Sequence, residues 1–389
     1  MECRLRLLKY TEKKSIANMR VLQIVANIGI KSGVSSFIMN VYRNIDKTRY
    51  QFDFLVAKKV NESYEEEIRQ LGGNVHYMPN PLSFRLFSAC SYCSHFFLSH
   101  LKDYQVVHLH SPTMAMMTAF YARKAGIKKV IIHSHSTNFS TNTVKRIIDS
   151  ILVSKINKYG TDFWFCSPEA GEFLFGKGTG IYIPNAIDTD SFRFDEKIRQ
   201  NMRQQLGIAI DQKVVCHVSN FSPLKNIDFL VPVIQNVVKN ELKTWKFIFV
   251  GDGPDRSTFE HKLTKMGLDH NCIFVGFQSS PIPYLYASDI FVLPSLSEGA
   301  PVSILEAQAS GLRCIVSDSV TRTIDVTGIS YLPLENRVWT KEILNTKLNK
   351  KSQRISNNDM MQKSVFSINY LIDQIMDLYG EGVSDSSVL

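Results

Sequence analysis

Short apolar, β-branched runs alternate with amphipathic stretches along almost the whole chain. Arg20–Ala26, Phe52–Val56, Val75–Met78, Val106–Leu109 and Lys129–His133 each read as a buried strand. A glycine-containing loop and a helix from about Val34 to Ile45 follow the first strand, and helical stretches separate the others. This rhythm predicts a parallel sheet covered on both faces. The pattern then restarts with strands at Val214–Val218, Phe247–Val250, Cys272–Val275, Ile290–Leu293 and Cys314–Val316, and with helices such as Ile227–Lys239 and Ser257–Met266. Ile183-Pro184-Asn185-Ala186-Ile187-Asp188 lies between the two series, and Pro184 breaks regular structure there, so the segment is expected to connect two domains. The expected fold class is α/β: two Rossmann-like, doubly wound parallel-sheet domains facing across a cleft, with ligands at the carboxyl ends of the strands.

The expected division is 1–18, a disordered basic extension; 19–185, the first domain; 186–358, the second; and 359–389, a C-terminal helix and tail. The first eighteen residues lack the apolar stretch and cleavage site of an export leader. Gln362–Tyr379 is amphipathic, with Val365, Ile368, Leu371, Ile372, Ile375, Met376 and Tyr379 at helical spacing.

The chain has 389 residues, enough for two full cores. Hydrophobic residues at 44% and charged residues at 21% exclude a disordered or collagen-like chain. The net charge of +9 is uneven: 24 basic against 13 acidic residues up to Asn185, then 21 against 23. A basic first half suits an anionic membrane or substrate, but its charges are spread over helices, and nucleic acid is not expected. Seven cysteines, an odd number, argue against a disulfide framework and for a reducing compartment. Cys90 and Cys93 have metal-like spacing, but no second pair follows, and FRLFSACSYCSHFFLSHL reads as a helix with buried thiols. No run of eighteen apolar residues occurs, so no segment is expected to span a membrane.

The most informative segment is ASDIFVLPSLSEGAPVSILEAQASGLRCIVSD, residues 287–318. A buried strand ends at Pro294, a loop follows, and a helix starts near Pro301. Glu298 stands in the loop and Glu306 in the helix, up to ~12 Å apart along a helical axis. Two carboxylates so placed can accept hydrogen bonds from hydroxyls at two ends of an extended ligand. The free amides of Ala300, Val302 and Ser303 at the helix start suit a phosphate, whereas Pro301 has no N–H to give. A second motif, HVSNFSPLKNIDFL at 217–230, follows a strand and places Lys225 in a loop. A third, NIGIKSGVSSF at 27–37, places Gly33 where the first strand turns into its helix.

These motifs, in this order, resemble the signature of retaining GT-B glycosyltransferases of family 4, also called group 1. The resemblance is closest to the branch that builds exopolysaccharide and capsule, and it runs from about Met19 to Tyr379. It implies a transferase that moves a sugar from a nucleotide-diphosphate donor, UDP-linked first and GDP-linked second, to a glycan or lipid-linked acceptor with retention. The resemblance also implies no metal and no cofactor; the cysteine usage fits a cytoplasmic protein, and the basic first domain suits peripheral contact with the inner face of an anionic membrane. By resemblance the first domain holds the acceptor, the second holds the donor, and the C-terminal helix crosses back as a brace.

The roles carried over are these. Lys225 grips the donor diphosphate, beside Ser219 and Asn220, which stand where Gly and Arg are usual. Gly33 approaches the phosphate, with Ser32 in place of a second glycine. Glu306 and the backbone of Gly299, Ala300, Val302 and Ser303 hold the nucleotide, while Gly251, Gly276 and Phe277 frame it. Glu298 and His110 hold the transferred sugar. His133 and His135, with His110 at the ends of the VVHLHSP and IIHSHS strands, face the acceptor or the sugar. The catalytic set implied is therefore His110, Glu298 and Lys225. Asp188-Thr189-Asp190 imitates a D-x-D metal site of a different fold, but its place after a proline predicts a turn. Two other classes stay open at this point: a sugar-nucleotide 2-epimerase of the same fold, and a non-catalytic binding protein.

Overall fold

The computed structural model describes residues 19–30, 32–79, 86–100, 102–135, 158–240, 244–298 and 300–381. The expected basic extension, 1–18, lies outside them. Among the described residues, β1 (Met19–Val25), β2 (Tyr50–Val56), β3 (Val75–Tyr77), β4 (Val106–Leu109), β5 (Lys129–Ser134), β6 (Asp162–Phe165) and β7 (Ile181–Tyr182) form one sheet in the order β3-β2-β1-β4-β5-β6-β7. A second sheet is built from β8 (Lys213–Val218), β9 (Trp245–Val250), β10 (Cys272–Gly276), β11 (Ile290–Leu293), β12 (Arg313–Ser317) and β13 (Ser330–Leu332) in the order β10-β9-β8-β11-β12-β13. Every pairing in both sheets is parallel.

Alternation along the strands explains why each sheet is covered twice. In β1, Val21 and Val25 enter one apolar cluster with helix Gly33–Asn44, whereas Leu22 and Ile24 enter another with helices Leu86–Ser99 and Pro112–Lys124. In the second sheet, Val214 and Cys216 face helix Val302–Ala309, and Val215 faces helix Leu230–Asn240. The two expected doubly wound domains are therefore both present. The sequence pattern does not reveal β6, β7 or β13. These strands have four, two and three residues and are mostly half-buried.

Ile183 and Ala186 belong to the core of the first domain and Ile187 to that of the second. The C-terminal boundary differs from the expected 358/359. Two helices, Lys351–Gln362 and Ile368–Gly380, replace the single stripe read from Gln362. Met361, Val365 and Phe366 pack on the second domain, and Ile368, Leu371, Ile375 and Tyr379 pack on the first. A single amphipathic period thus conceals a change of partner. The two crossing strands of chain bind each other: Ile187 N–H donates to the Phe366 carbonyl at 2.9 Å and Ile368 N–H to the Ile187 carbonyl at 2.9 Å.

Helix Lys351–Gln362 also fixes the end of helix Val302–Ala309. The buried Arg354 guanidinium donates to the carbonyls of Leu285, Tyr286, Ser288 and Ser310. Gly311, at φ +74°, permits that approach, since a Cβ there would lie 2.3 Å from the Arg354 Cα.

Candidate active site at the two switch points

In each sheet the strand order reverses between two neighbours, β1 and β4 in the first and β8 and β11 in the second. The loops leaving such neighbours diverge to opposite faces and open a crevice at the carboxyl ends. Gly33 and His110 follow β1 and β4; Lys225 and Glu298 follow β8 and β11. The residues singled out from the sequence therefore occupy both crevices.

In the second crevice Lys225 and Glu298 are in direct contact. The Lys225 ammonium donates to the Glu298 carboxylate, and both side chains are largely withdrawn from water. The loops that carry them are stitched together. Leu296 N–H donates to the Leu224 carbonyl at 2.9 Å, and the Asn226 side-chain amide donates to the Pro294 carbonyl at 3.1 Å. Asn226 follows the short turn Pro223–Lys225 in left-handed conformation, φ 52°, which asparagine tolerates.

Glu306 lies one turn into helix Val302–Ala309, whose N-cap residue, Pro301, makes no side-chain hydrogen bond to the first turn. Burial pushes the Glu306 carboxyl up to about 8. The Ala300 carbonyl receives the Asn185 side-chain amide at 3.4 Å, a contact from the interdomain connection. Gly299 lies outside the described residues.

The expected nucleotide-framing residues stand in a row on the neighbouring strands. Asn220 is exposed. Ser219, at the usual glycine position, is hydrogen-bonded to His217 Nε2 at 2.7 Å. Gly251 has φ +123°, and a Cβ there would lie 1.8 Å from the Ser219 carbonyl oxygen; one on Gly253 would lie 2.5 Å from that of Phe221. The GDGP turn is thus glycine because its backbone rests on the backbone of the Lys225 loop. Gly276, at φ +70°, ends the edge strand β10, and Phe277 beyond it is exposed.

Gly33 is a different kind of glycine. A Cβ there would meet nothing within 4 Å, so the fold does not require it. Ser32, in place of the second glycine, caps helix Gly33–Asn44 by accepting from Ser35 N–H at 3.4 Å.

At the first crevice the structure brings His108, His110, His133 and His135 together. All four lie on the sheet face covered by helices Gly33–Asn44 and Ile368–Gly380. His110 Nδ1 is 2.8 Å from His135 Nε2, and His108 Nε2 is 3.2 Å from His133 Nδ1. Gln23 Oε1 lies 2.8 Å from His110 Nε2, and the Tyr379 hydroxyl lies 2.7 Å from His108 Nδ1. Burial holds His108, His110 and His133 well below the ordinary imidazole range, with the neighbouring rings adding to it, and holds His135 at about 3. The rings are therefore neutral, each with one donor and one acceptor nitrogen. Sequence reasoning did not find Gln23 or Tyr379. Gln23, a polar residue inside the apolar run of β1, was the available signal.

Nitrogens of His108, His110 and His133 lie within 4.8 Å of one another, a spacing that could hold a cation. The donor set fits one poorly. Five of their six ring nitrogens are engaged with Tyr379, Gln23 or another histidine, and the set contains no carboxylate to offset the charge. His133 Nε2 is buried and finds no partner among the described residues. Cys93 is buried with its thiol pushed up to about 12, and Cys90 points at the Met117 sulfur. Asp188 closes a turn onto the amides of Asp190 and Ser191.

Known proteins resemble this chain along most of its length. Residues 198–363 match the family described as Glycosyl transferases group 1. The chain is 32% identical over 320 residues to EpsF of Bacillus subtilis (strain 168), named as a glycosyltransferase, covering 79% of this chain and 81% of that one. It is 28% identical over 303 residues to the UDP-Gal:alpha-D-GlcNAc-diphosphoundecaprenol alpha-1,3-galactosyltransferase of Escherichia coli, covering 72% and 76%. Among solved structures, Anabaena Alr3699/HepE in complex with UDP has a TM-score of 0.74 at 17% identity, covering 92% of this chain and 99% of that one. At that identity the likeness is one of fold.

Proposed function

The chain belongs to the glycosyl transferases group 1 family, and on that premise we propose that it moves a sugar from a nucleotide-diphosphate donor, a UDP-sugar first, onto a glycan or lipid-linked acceptor in the building of a cell-surface polysaccharide. The observation that carries this reading is the placement of Lys225 and Glu298 in one crevice, in line with Gly251 and Phe277 on the strands beside it. Phe277 follows β10, Gly251 follows β9, Lys225 follows β8 and Glu298 follows β11. At about 4.8 Å per strand, β10 and β8 are ~10 Å apart, the reach from a base to its diphosphate.

In this reading Phe277 and Gly276 frame the base, and Glu306 accepts from ribose hydroxyls. Lys225 then leaves Glu298 for the diphosphate, because two phosphates offer more negative charge than one carboxylate. Glu298, released, accepts from hydroxyls of the sugar, with His110 on its other side. As the sugar–phosphate bond breaks, Lys225 and the amides of Val302 and Ser303 stabilise the charge gathering on the leaving diphosphate. Positive groups of the chain do this work, so the reading assigns the reaction no metal. The transition state is oxocarbenium-like and the anomeric configuration is retained. His133 and His135 lie on the acceptor side.

The acceptor in this reading sits at a membrane surface. No helix among the described residues is long and apolar enough to cross one. Phe87 and Leu98 are exposed on helix Leu86–Ser99, eleven residues and so about 20° apart around its axis. Phe96, about 180° round the helix from Phe87, and Phe97, about 80° round it, are core. An apolar pair on the more basic domain suits peripheral contact with anionic lipid. Sedimentation with anionic vesicles should be salt-sensitive and weakened by Phe87→Ser.

The activity is tested by incubating the protein with each UDP- and GDP-sugar and a polyprenyl-diphosphate-linked sugar, followed by mass spectrometry. One added sugar residue from one donor is the expected product. An epimerised nucleotide-sugar formed with donor alone would instead assign the 2-epimerase class.

A further inference from the structure

The four histidines are not isolated from the second domain. Helix Ile368–Gly380 returns from it and buries Tyr379 in the first domain, where the ring stacks on Trp164 at 5.6 Å and meets His108 edge-on. The Tyr379 hydroxyl lies at the junction of two chains of hydrogen bonds. One runs through His108 to His133. The other runs from the Gln23 amide, which donates to the hydroxyl at 3.3 Å, through Gln23 Oε1 to His110 and on to His135.

Because the rings are neutral, each link dictates the next. Gln23 Oε1 can only accept, so His110 carries its proton on Nε2. His110 Nδ1 then accepts, and His135 must carry its proton on Nε2. If Gln23 turned over, its amide would face His110 and both protons would have to move to the other nitrogen. With the Tyr379 hydrogen given to His108 Nδ1, the hydroxyl oxygen can only accept from Gln23, which turns the amide end toward Tyr379 and Oε1 toward His110.

We propose that Tyr379 is a positioning residue for the sugar-side histidines: its hydroxyl, delivered by the helix that crosses back from the second domain, fixes Gln23 and thereby the proton arrangement of His110 and His135. The consequence for sugar transfer rests on the proposed role of His110; the proton arrangement itself does not. The crossing helix is then part of the site wall as well as a brace between domains.

The test is Tyr379→Phe in the full chain, which keeps the ring against Trp164 and removes only the hydroxyl. Long-range proton–nitrogen NMR reads which imidazole nitrogen carries hydrogen. The wild-type protein should show His110 and His135 each protonated on Nε2 alone. Tyr379→Phe should shift His110 toward a mixture of tautomers and lower kcat about tenfold or more, with KM for the donor changed less than twofold. Gln23→Leu should lower kcat similarly, and the double variant should be no worse than either single one, as expected of one network. Unchanged tautomers in Tyr379→Phe, or changed tautomers with unchanged kcat in an active enzyme, would overturn the proposal. A wild-type protein that transfers no sugar counts against the proposed function, and the tautomer spectra then decide the hydrogen-bond relay without it.

Discussion

The Lys225 ammonium and the Glu298 carboxylate, 73 residues apart in sequence, hold each other in the crevice between β8 and β11. In the proposed reaction they serve different parts of the donor, one the diphosphate and the other the sugar. Their contact keeps two largely buried charges neutralised until the donor arrives, since either one alone in that setting costs several kcal/mol.

This pairing predicts that diphosphate competes with Glu298 for the lysine. Glu298→Gln removes the competitor, so UDP should bind about tenfold more tightly while sugar transfer falls about a hundredfold. Calorimetry with UDP and a transfer assay on the same sample check both. Weaker UDP binding in Glu298→Gln would mean the pair organises the lysine for phosphate and does not hold it back.

Glu306 predicts a pH dependence. Burial raises its carboxyl to about 8, so it is mostly protonated in the empty protein at neutral pH. Ribose hydroxyls bind the ionised form as donors, and donor binding must then release a proton. Affinity should rise with pH, by up to about tenfold per unit below 8, and level off above. Folding stability moves the other way, because the raised carboxyl favours the native state at low pH and loses that advantage between about 4.5 and 8. Glu306→Gln should abolish the slope of affinity against pH.

Asn220 stands exposed where the resembled family has arginine. Asn220→Arg should add a charge-assisted bond to the diphosphate, worth about 1.5–3 kcal/mol, and tighten UDP binding at least tenfold. An unchanged affinity in titration would show that the loop does not bring this position to phosphate.

The two glycines Gly33 and Gly251 should part company. Gly251→Ala would drive a Cβ into the Ser219 carbonyl at a left-handed φ, and its thermal unfolding midpoint should drop by several degrees or more. Gly33→Ala meets open space and should leave the midpoint within about 2 °C while weakening donor binding. Thermal melts with and without UDP separate the two cases.

Much of the fold is legible in the sequence because ten of the strands are apolar runs bounded by turn residues, as in Val106–Leu109 and Ile290–Leu293. The short strands β6, β7 and β13, mostly half-buried, escape that reading. The break between Gln362 and Ile368 is hidden for another reason: Val365 and Ile368 keep the same helical spacing while packing on different domains. For the candidate site, local motifs point to Lys225, Glu298 and Glu306, but the Lys225–Glu298 contact depends on which strands become neighbours. Tyr379 is more remote still, 271 residues from His108, and its apolar periodicity conceals a hydroxyl aimed at an imidazole.

The most direct test of the central claim is calorimetric titration of the metal-free protein with a panel of UDP- and GDP-sugars, alongside Lys225→Ala and Glu306→Ala. One donor should bind without added metal, and each substitution should weaken it about tenfold or more. Binding that appears only with a divalent cation, or that survives both substitutions, would contradict that claim and place the donor elsewhere than the crevice between β8 and β11.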